Sequence, residues 1–178
     1  MAGQLYGTND VEKYKVNAIS DIVSLFSNYN SVFSIPEKYT LQSPPAPIMI
    51  CGFDNMTARR MFFLNWGNYV STLTEEDRKT CLFIDGRMSA EYFQIFCITG
   101  DDPYNIKRYE KEFLFDDSEA EVTVCSYKQT SFCSSMIASF IVNLYVNFCA
   151  NRCNPIIPRS LPFITEYNAE ITHLKLES

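Results

Sequence analysis

Ile48-Met49-Ile50-Cys51-Gly52-Phe53-Asp54-Asn55-Met56-Thr57-Ala58-Arg59-Arg60 is the stretch on which the fold turns. Ile48 to Phe53 is a continuous apolar run, which suits a strand buried on both faces, as in a parallel sheet. Asn55 to Val70 then reads as a helix, with Asp54 or Asn55 placed to cap its first turn. Open α/β sheets set their ligand chemistry at such strand ends. The helix that begins there offers N–H groups and a positive dipole end. A carboxylate at that place can hold Mg²⁺ beside substrate phosphates. The same aspartate would equally serve to satisfy the start of a helix and nothing more.

Outward from this stretch, helical and extended patterns alternate, which argues for an α/β class. Upstream, Val11 to Phe26 has apolar residues at Val16, Ile19, Ile22, Val23 and Phe26, the spacing of an amphipathic helix, with Asp10 as its N-cap. Val32 to Ile35 reads as a short strand, and Ser43-Pro44-Pro45-Ala46-Pro47 as a stiff extended connector. Downstream, Thr80 to Ile84 is a second buried-type strand, Asp85-Gly86-Arg87 a turn, and Tyr92 to Thr99 a third strand. Gly86 to Glu91 is too short for a crossover helix, so this pair is expected to be antiparallel. Asn105 to Phe113 reads as a charged short helix, Asp116 to Thr123 as an acidic exposed stretch, and Ser131 to Asn151 as the longest helix. Leu161 to Leu176 reads as extended structure. The expected fold is a single domain over residues 1–178: a partial Rossmann-like sheet with flanking helices and a C-terminal antiparallel extension.

Composition narrows the function classes. The 178 residues carry 15 Lys and Arg against 21 Asp and Glu, a net charge of −6. No basic stripe is present, so nucleic-acid binding is not expected. Apolar stretches such as Met136 to Val146 are short for a bilayer, so no membrane span is expected. No basic segment with an apolar core follows Met1, so a signal peptide is not expected. Seven scattered cysteines fit free thiols in a reducing, cytoplasmic compartment better than a disulfide framework. Cys149 and Cys153 are not matched by a second pair, so no zinc site is expected. His173 is the one histidine, which gives Ser-His or Cys-His catalysis little support. The 14 Phe and 11 Tyr suit either a large aromatic core or a surface that is buried only in a complex.

Asp54-Asn55-Met56-Thr57-Ala58-Arg59 resembles the Asp-Asn-x-x-x-Arg motif of the ThiF/MoeB/HesA family, which includes the ubiquitin-activating-type enzymes. Three further segments are similar in the same chain order. Lys13-Tyr14-Lys15-Val16-Asn17-Ala18 looks like the family's Gly-x-x-Lys-Val-x-Ala helix start, with its glycine replaced. Phe83-Ile84-Asp85-Gly86-Arg87 and the strand after it look like the family's strand-turn-strand. Cys125-Ser126-Tyr127, followed by an apolar helix, is similar to the crossover cysteine before the family's long helix. The resemblance covers residues 4–149.

The resemblance implies an ATP-dependent adenylyltransferase, in which a carboxylate attacks the α-phosphate of ATP to give an acyl adenylate and pyrophosphate. It implies that Asp54 binds Mg²⁺–ATP and helps position the acyl carboxylate, that Lys15 contacts nucleotide phosphates, and that Asn55 lies in the nucleotide site. It implies a mostly structural role for Arg59. Cys125 is the candidate for thioester or persulfide chemistry, although Asp116, Asp117, Glu119 and Glu121 make its surroundings acidic. Its other reading is a small apolar residue before a helix. The substrate would be the C-terminus of a ubiquitin-like or sulfur-carrier protein.

The family domain opens with a strand, a glycine-rich loop and a helix that cradle the phosphates. The glycines here stand at 3, 7, 52, 67, 86 and 100, too far apart for that loop. The chain therefore looks like the second half of the family domain. The ATP and Mg²⁺ expected of the family would need a protein partner that supplies the first half. Failing that, the chain is a non-catalytic interaction module, paired with a partner or with itself as a homo-oligomer.

Overall fold

The computed structural model describes residues 6–27, 32–116 and 130–178. Five strands form one mixed sheet in the order β1 (Ile48–Cys51), β2 (Leu82–Met88), β3 (Tyr92–Thr99), β4 (Ile164–Asn168) and β5 (His173–Glu177). β1 and β2 are parallel, and each later neighbour is antiparallel. The protein is thus an α/β fold, with a parallel start and an antiparallel C-terminal extension.

Helices α1 (Lys15–Phe26), α2 (Met56–Ser71), α3 (Glu75–Arg78), α4 (Pro103–Arg108) and α5 (Ser131–Asn151) complete the described structure, with a short 3₁₀ turn at Thr8–Asp10 and a π-helical turn at Tyr109–Phe113. On one face of the sheet, Phe63, Trp66 and Val70 of α2 pack with Phe83, Phe96, Ile98 and Tyr109. On the other, Cys133, Ile137, Leu144 and Phe148 of α5 pack on Leu82, Ile84, Phe93 and Ile95. Period-two alternation along β2 and β3 divides the apolar side chains between these two layers.

Helix α2 begins where the sequence places it. Asn55 is its N-cap, and its Oδ1 accepts from the Ala58 N–H at 2.8 Å. The Trp66 indole N–H donates to the Pro47 carbonyl at 3.1 Å, tying the helix to the entry of β1. Asn65 Nδ2 donates to Tyr39 Oη at 2.6 Å and to the Ser43 carbonyl at 2.8 Å, which fixes the proline-rich connector against the helix.

Several expectations are corrected. Asp85-Gly86-Arg87 lies inside β2, not in a turn; the reversal falls after Met88. Asp–Gly is a turn signal, but here Asp85 is held by buried partners, and Gly86 admits α5. A Cβ at Gly86 would stand 2.9 Å from Ile141 Cδ1. Asp10 does not cap α1, whose N-cap is Tyr14; the Asp10 carboxylate accepts from the Gly7 N–H instead. Residues 32–35 form no strand. Helix α5 spans 21 residues and holds an 18-residue stretch with a mean hydropathy of 1.5, long and apolar enough to cross a membrane by length and composition. The expectation that every apolar stretch is too short for a bilayer is therefore wrong on length, although one stripe of this helix packs on the sheet.

Glycine contacts give a test of packing. A Cβ at Gly100 would meet the Arg78 carbonyl oxygen at 2.6 Å and Cys81 Cβ at 2.7 Å, neither of which can easily withdraw. At Gly67, in the middle of α2, nothing lies within 4 Å. In urea unfolding, Gly100→Ala should cost about 1–3 kcal/mol. Gly67→Ala should be neutral or stabilising by up to about 1 kcal/mol.

Candidate functional site

The C-terminal end of β1 opens into a cleft of about 450 Å³. Its walls are the β1–α2 loop (Cys51, Gly52, Phe53, Asp54), Arg59 of α2, the end of β2 (Gly86, Arg87, Met88) and one flank of α5 (Ile137, Ala138, Ile141). The cleft exists because β1 stops opposite Asp85 while β2 runs three residues further.

Asp54 and Asn55 are exposed at its mouth. Asn55 Nδ2 donates to Asp54 Oδ1 at 3.0 Å, so the cap residue also orients the carboxylate. Behind them sits a buried polar network that pattern reading did not identify. Asp85, fully buried, accepts from Arg59 through one oxygen. Its other oxygen accepts from Arg87 Nε at 2.7 Å and from the Tyr109 hydroxyl at 2.7 Å. Arg59 also donates to the Phe53 carbonyl and, at 3.1 Å, to the Gly86 carbonyl. Arg87 donates to Tyr109 Oη at 3.1 Å and lies 4.6 Å from the Phe96 ring centroid.

Two guanidiniums therefore meet one carboxylate, which leaves a positive excess at the back wall of the cleft. Burial, and then the Asp85 charge, push the Tyr109 hydroxyl well above its ordinary range. The same two causes, in the same order, push the Cys51 thiol up to about 12. Arg59 Nη1 lies 3.9 Å from Cys51 Sγ, too weak a contact to offset them. The Cys51 thiol is inert despite its place on the cleft wall.

The structure brings Asp54, Asn55 and Arg59 together. Lys15 opens α1, is exposed, and does not line the cleft that holds Asp54. Cys125 lies outside the described residues. Cys149 and Cys153 stand near the end of α5, where the Cys153 thiol meets the Cys149 carbonyl at 3.7 Å. Among the described residues, no group of three or more His, Cys, Asp or Glu could hold a metal ion by itself. His173 lies exposed on β5. One signal could have found Asp85: a carboxylate directly after the apolar run Leu82-Phe83-Ile84 must find cationic partners if the strand is buried. Tyr109 carries no such signal, because the π-helical turn that aims it is set by tertiary packing.

A scan against models of known protein families finds no match, and no curated protein matches the chain. The residues themselves therefore carry the functional reading.

Two predictions follow from the network and the thiols. Arg59→Met should destabilise by about 3 kcal/mol or more in chemical denaturation, because it removes a buried partner of Asp85. Adding Asp85→Asn should cost much less than its effect alone, a coupling that a double-mutant cycle measures. For the thiols, alkylation of the native protein at pH 8 should label exposed Cys153 and spare Cys51 and Cys97 until unfolding; burial pushes Cys97 up to about 12 as well. The folded state keeps these protons where the unfolded state releases them. Their contribution to stability is thus complete below pH 9 and is lost as pH rises from about 9 towards 12.

Proposed function

We propose that the chain is the carboxylate-activating half of an adenylating domain of the ThiF/MoeB type, acting in a complex whose other chain supplies the phosphate-binding loop. The observation that carries this reading is an exposed aspartate at the end of a parallel strand. It stands over a cleft and is oriented by the helix cap that follows it. This is where doubly wound sheets bind nucleotides.

The reaction joins a carboxylate, at the C-terminus of a ubiquitin-like or sulfur-carrier protein, to the α-phosphate of ATP and releases pyrophosphate. Asp54 suits a metal that arrives with phosphate ligands rather than a resident ion, since among the described residues it belongs to no group of three or more His, Cys, Asp or Glu that could complete a cage. Magnesium bound in that way would neutralise phosphate charge. The chain's own contribution is positional: Asn55 fixes Asp54, Arg59 fixes the loop that carries both, and the apolar flank of α5 narrows access for water.

A second reading, a non-catalytic interaction module, is favoured by one observation: Lys15 does not line the Asp54 cleft. Pyrophosphate exchange separates the two. The isolated chain should show no ATP–pyrophosphate exchange. A complex with a chain bearing a glycine-rich loop should exchange, and Asp54→Ala should lower that rate by about 100-fold or more. Undiminished exchange in the variant would remove Asp54 from the mechanism. A complex that neither binds Mg·ATP nor exchanges would leave the interaction module as the function.

A further inference from the structure

The chain leaves α5 through a tightly held loop. Asn151 Nδ2 donates to the Arg159 carbonyl at 2.9 Å, and Asn151 Oδ1 accepts from the Arg159 N–H at 2.7 Å. One turn earlier, Asn147 Nδ2 donates to the Ser160 carbonyl at 3.1 Å. Asn154 takes a left-handed φ of 50°, a common way to end a helix. Pro155 and Pro158 fix φ on either side of Ile156-Ile157. The loop is therefore stiff between its pinned ends.

Its tip is apolar. Ile156 is fully exposed and Ile157 is 80% exposed. Single exposed apolar residues are ordinary. Two adjacent ones, set between prolines and clamped at the base by three side-chain hydrogen bonds, are not. An apolar flank of α5 leads into the loop: Val142, Val146, Cys149 and Cys153 recur at the spacing of one helix face. Val142 and Val146 are exposed, and α5 carries no charged residue. Only 22% of its apolar 18-residue stretch is buried, whereas a helix that is apolar all round and serves only as core is buried all round.

Charge identifies the occupant. Thr130 to Thr165 contain no Asp or Glu, and their charged residues are Arg152 and Arg159, in a chain of net charge −6. These two arginines bracket the loop and are exposed. Neither makes a salt bridge among the described residues. Glu76 and Asp101 line a cleft with Arg152, but Glu76 is held by Lys79 at 2.7 Å. An apolar tip between free cations is complementary to an anionic bilayer, where acyl chains lie beneath phosphates. A pocket on a soluble protein would take the isoleucines alone; arginines on both sides of the tip call for a continuous anionic surface. The reach agrees. Pinned at residues 151 and 159, the loop extends at most about 13 Å, enough for the depth of about 5–10 Å at which interfacial segments sit.

We propose that the 152–159 loop seats the protein on an anionic lipid bilayer. Ile156 and Ile157 enter the acyl boundary, and Arg152 and Arg159 meet headgroup phosphates. The contact is peripheral and reversible, and α5 keeps its packed stripe on the sheet. Neither Asp54 nor its cleft takes part.

The test is sedimentation of the full chain with vesicles of equal parts phosphatidylserine and phosphatidylcholine, and with vesicles of phosphatidylcholine alone. The wild type should bind the anionic vesicles at least about tenfold more tightly than the neutral ones. Ile156→Ser combined with Ile157→Ser should weaken that binding at least about tenfold. Arg152→Gln combined with Arg159→Gln should weaken it at least about fivefold. All four side chains are exposed, so the urea midpoint should stay unchanged; Ile156→Leu with Ile157→Leu should keep the binding. Ile156→Trp reads insertion directly. Native Trp66 is fully buried, so a blue shift of emission on adding anionic vesicles reports the loop.

A wild type that does not bind anionic vesicles would overturn the proposal. So would equal binding to neutral vesicles, binding that survives the paired serine changes, or emission of the Ile156→Trp variant that ignores lipid. A dimer or a soluble complex that forms without lipid and is lost with the serine changes would overturn it too, because the loop would then belong to a protein contact.

Discussion

One buried carboxylate organises this end of the molecule. Asp85 joins β2 to α2 through Arg59, to its own strand end through Arg87, and to the π-helical turn through Tyr109. Desolvating an aspartate and two arginines costs several kcal/mol per ion, and only well-made charge-assisted hydrogen bonds offset that cost. Those bonds are made, and the arginines are used twice. Arg59 reaches past Asp85 to the Phe53 carbonyl, one residue before Asp54. The position of the exposed aspartate is therefore set by the buried one. A loop that would otherwise move freely at a strand end is held by a charge network beneath it, the support that a precise site requires.

This arrangement gives Arg59 its meaning. As a motif residue it is expected to be mostly structural, and it is buried and directed inward, with its hydrogen bonds committed to Asp85 and to two main-chain carbonyls. Arg87 is the more open of the pair toward the cleft, although it too is bonded to Asp85 and Tyr109 and stacked on Phe96. The positive excess of the network reaches the cleft as a field from behind, while Asp54 stands at the front. An anionic ligand and a cation entering together would meet both signs within one small volume.

Much of the fold was legible because periodicity and capping are local. The limits of β3 and α5, the Asn55 cap, the antiparallel β2–β3 pair and the extended C-terminus all follow from spacing and turn chemistry. The misreadings share one physical cause. Asp85-Gly86 looks like a turn because its two residues usually make one, and only distant partners, Arg59 and α5, turn it into strand. Asp10 looks like a helix cap, but a 3₁₀ turn takes its carboxylate first. Where a tertiary contact overrides a local preference, no window of sequence shows it. The candidate site was legible in part for the same reason. Asp54 and Asn55 lie on one contiguous strand-loop-helix segment, whereas Lys15 was joined to them by resemblance alone, and the fold leaves it outside their cleft.

The contrast between the sheet's edges bears on what kind of protein this is. A strand such as β1, apolar on both faces and free of charge, gains little from an edge position and invites unwanted pairing there. Its proline-rich approach, residues 43–47, stiffens the entry and is pinned to α2 through Asn65, so the strand is offered in one fixed orientation. The opposite edge, by contrast, carries Lys175, paired with Glu166, and Glu177. The cleft at Asp54 adjoins the β1 edge.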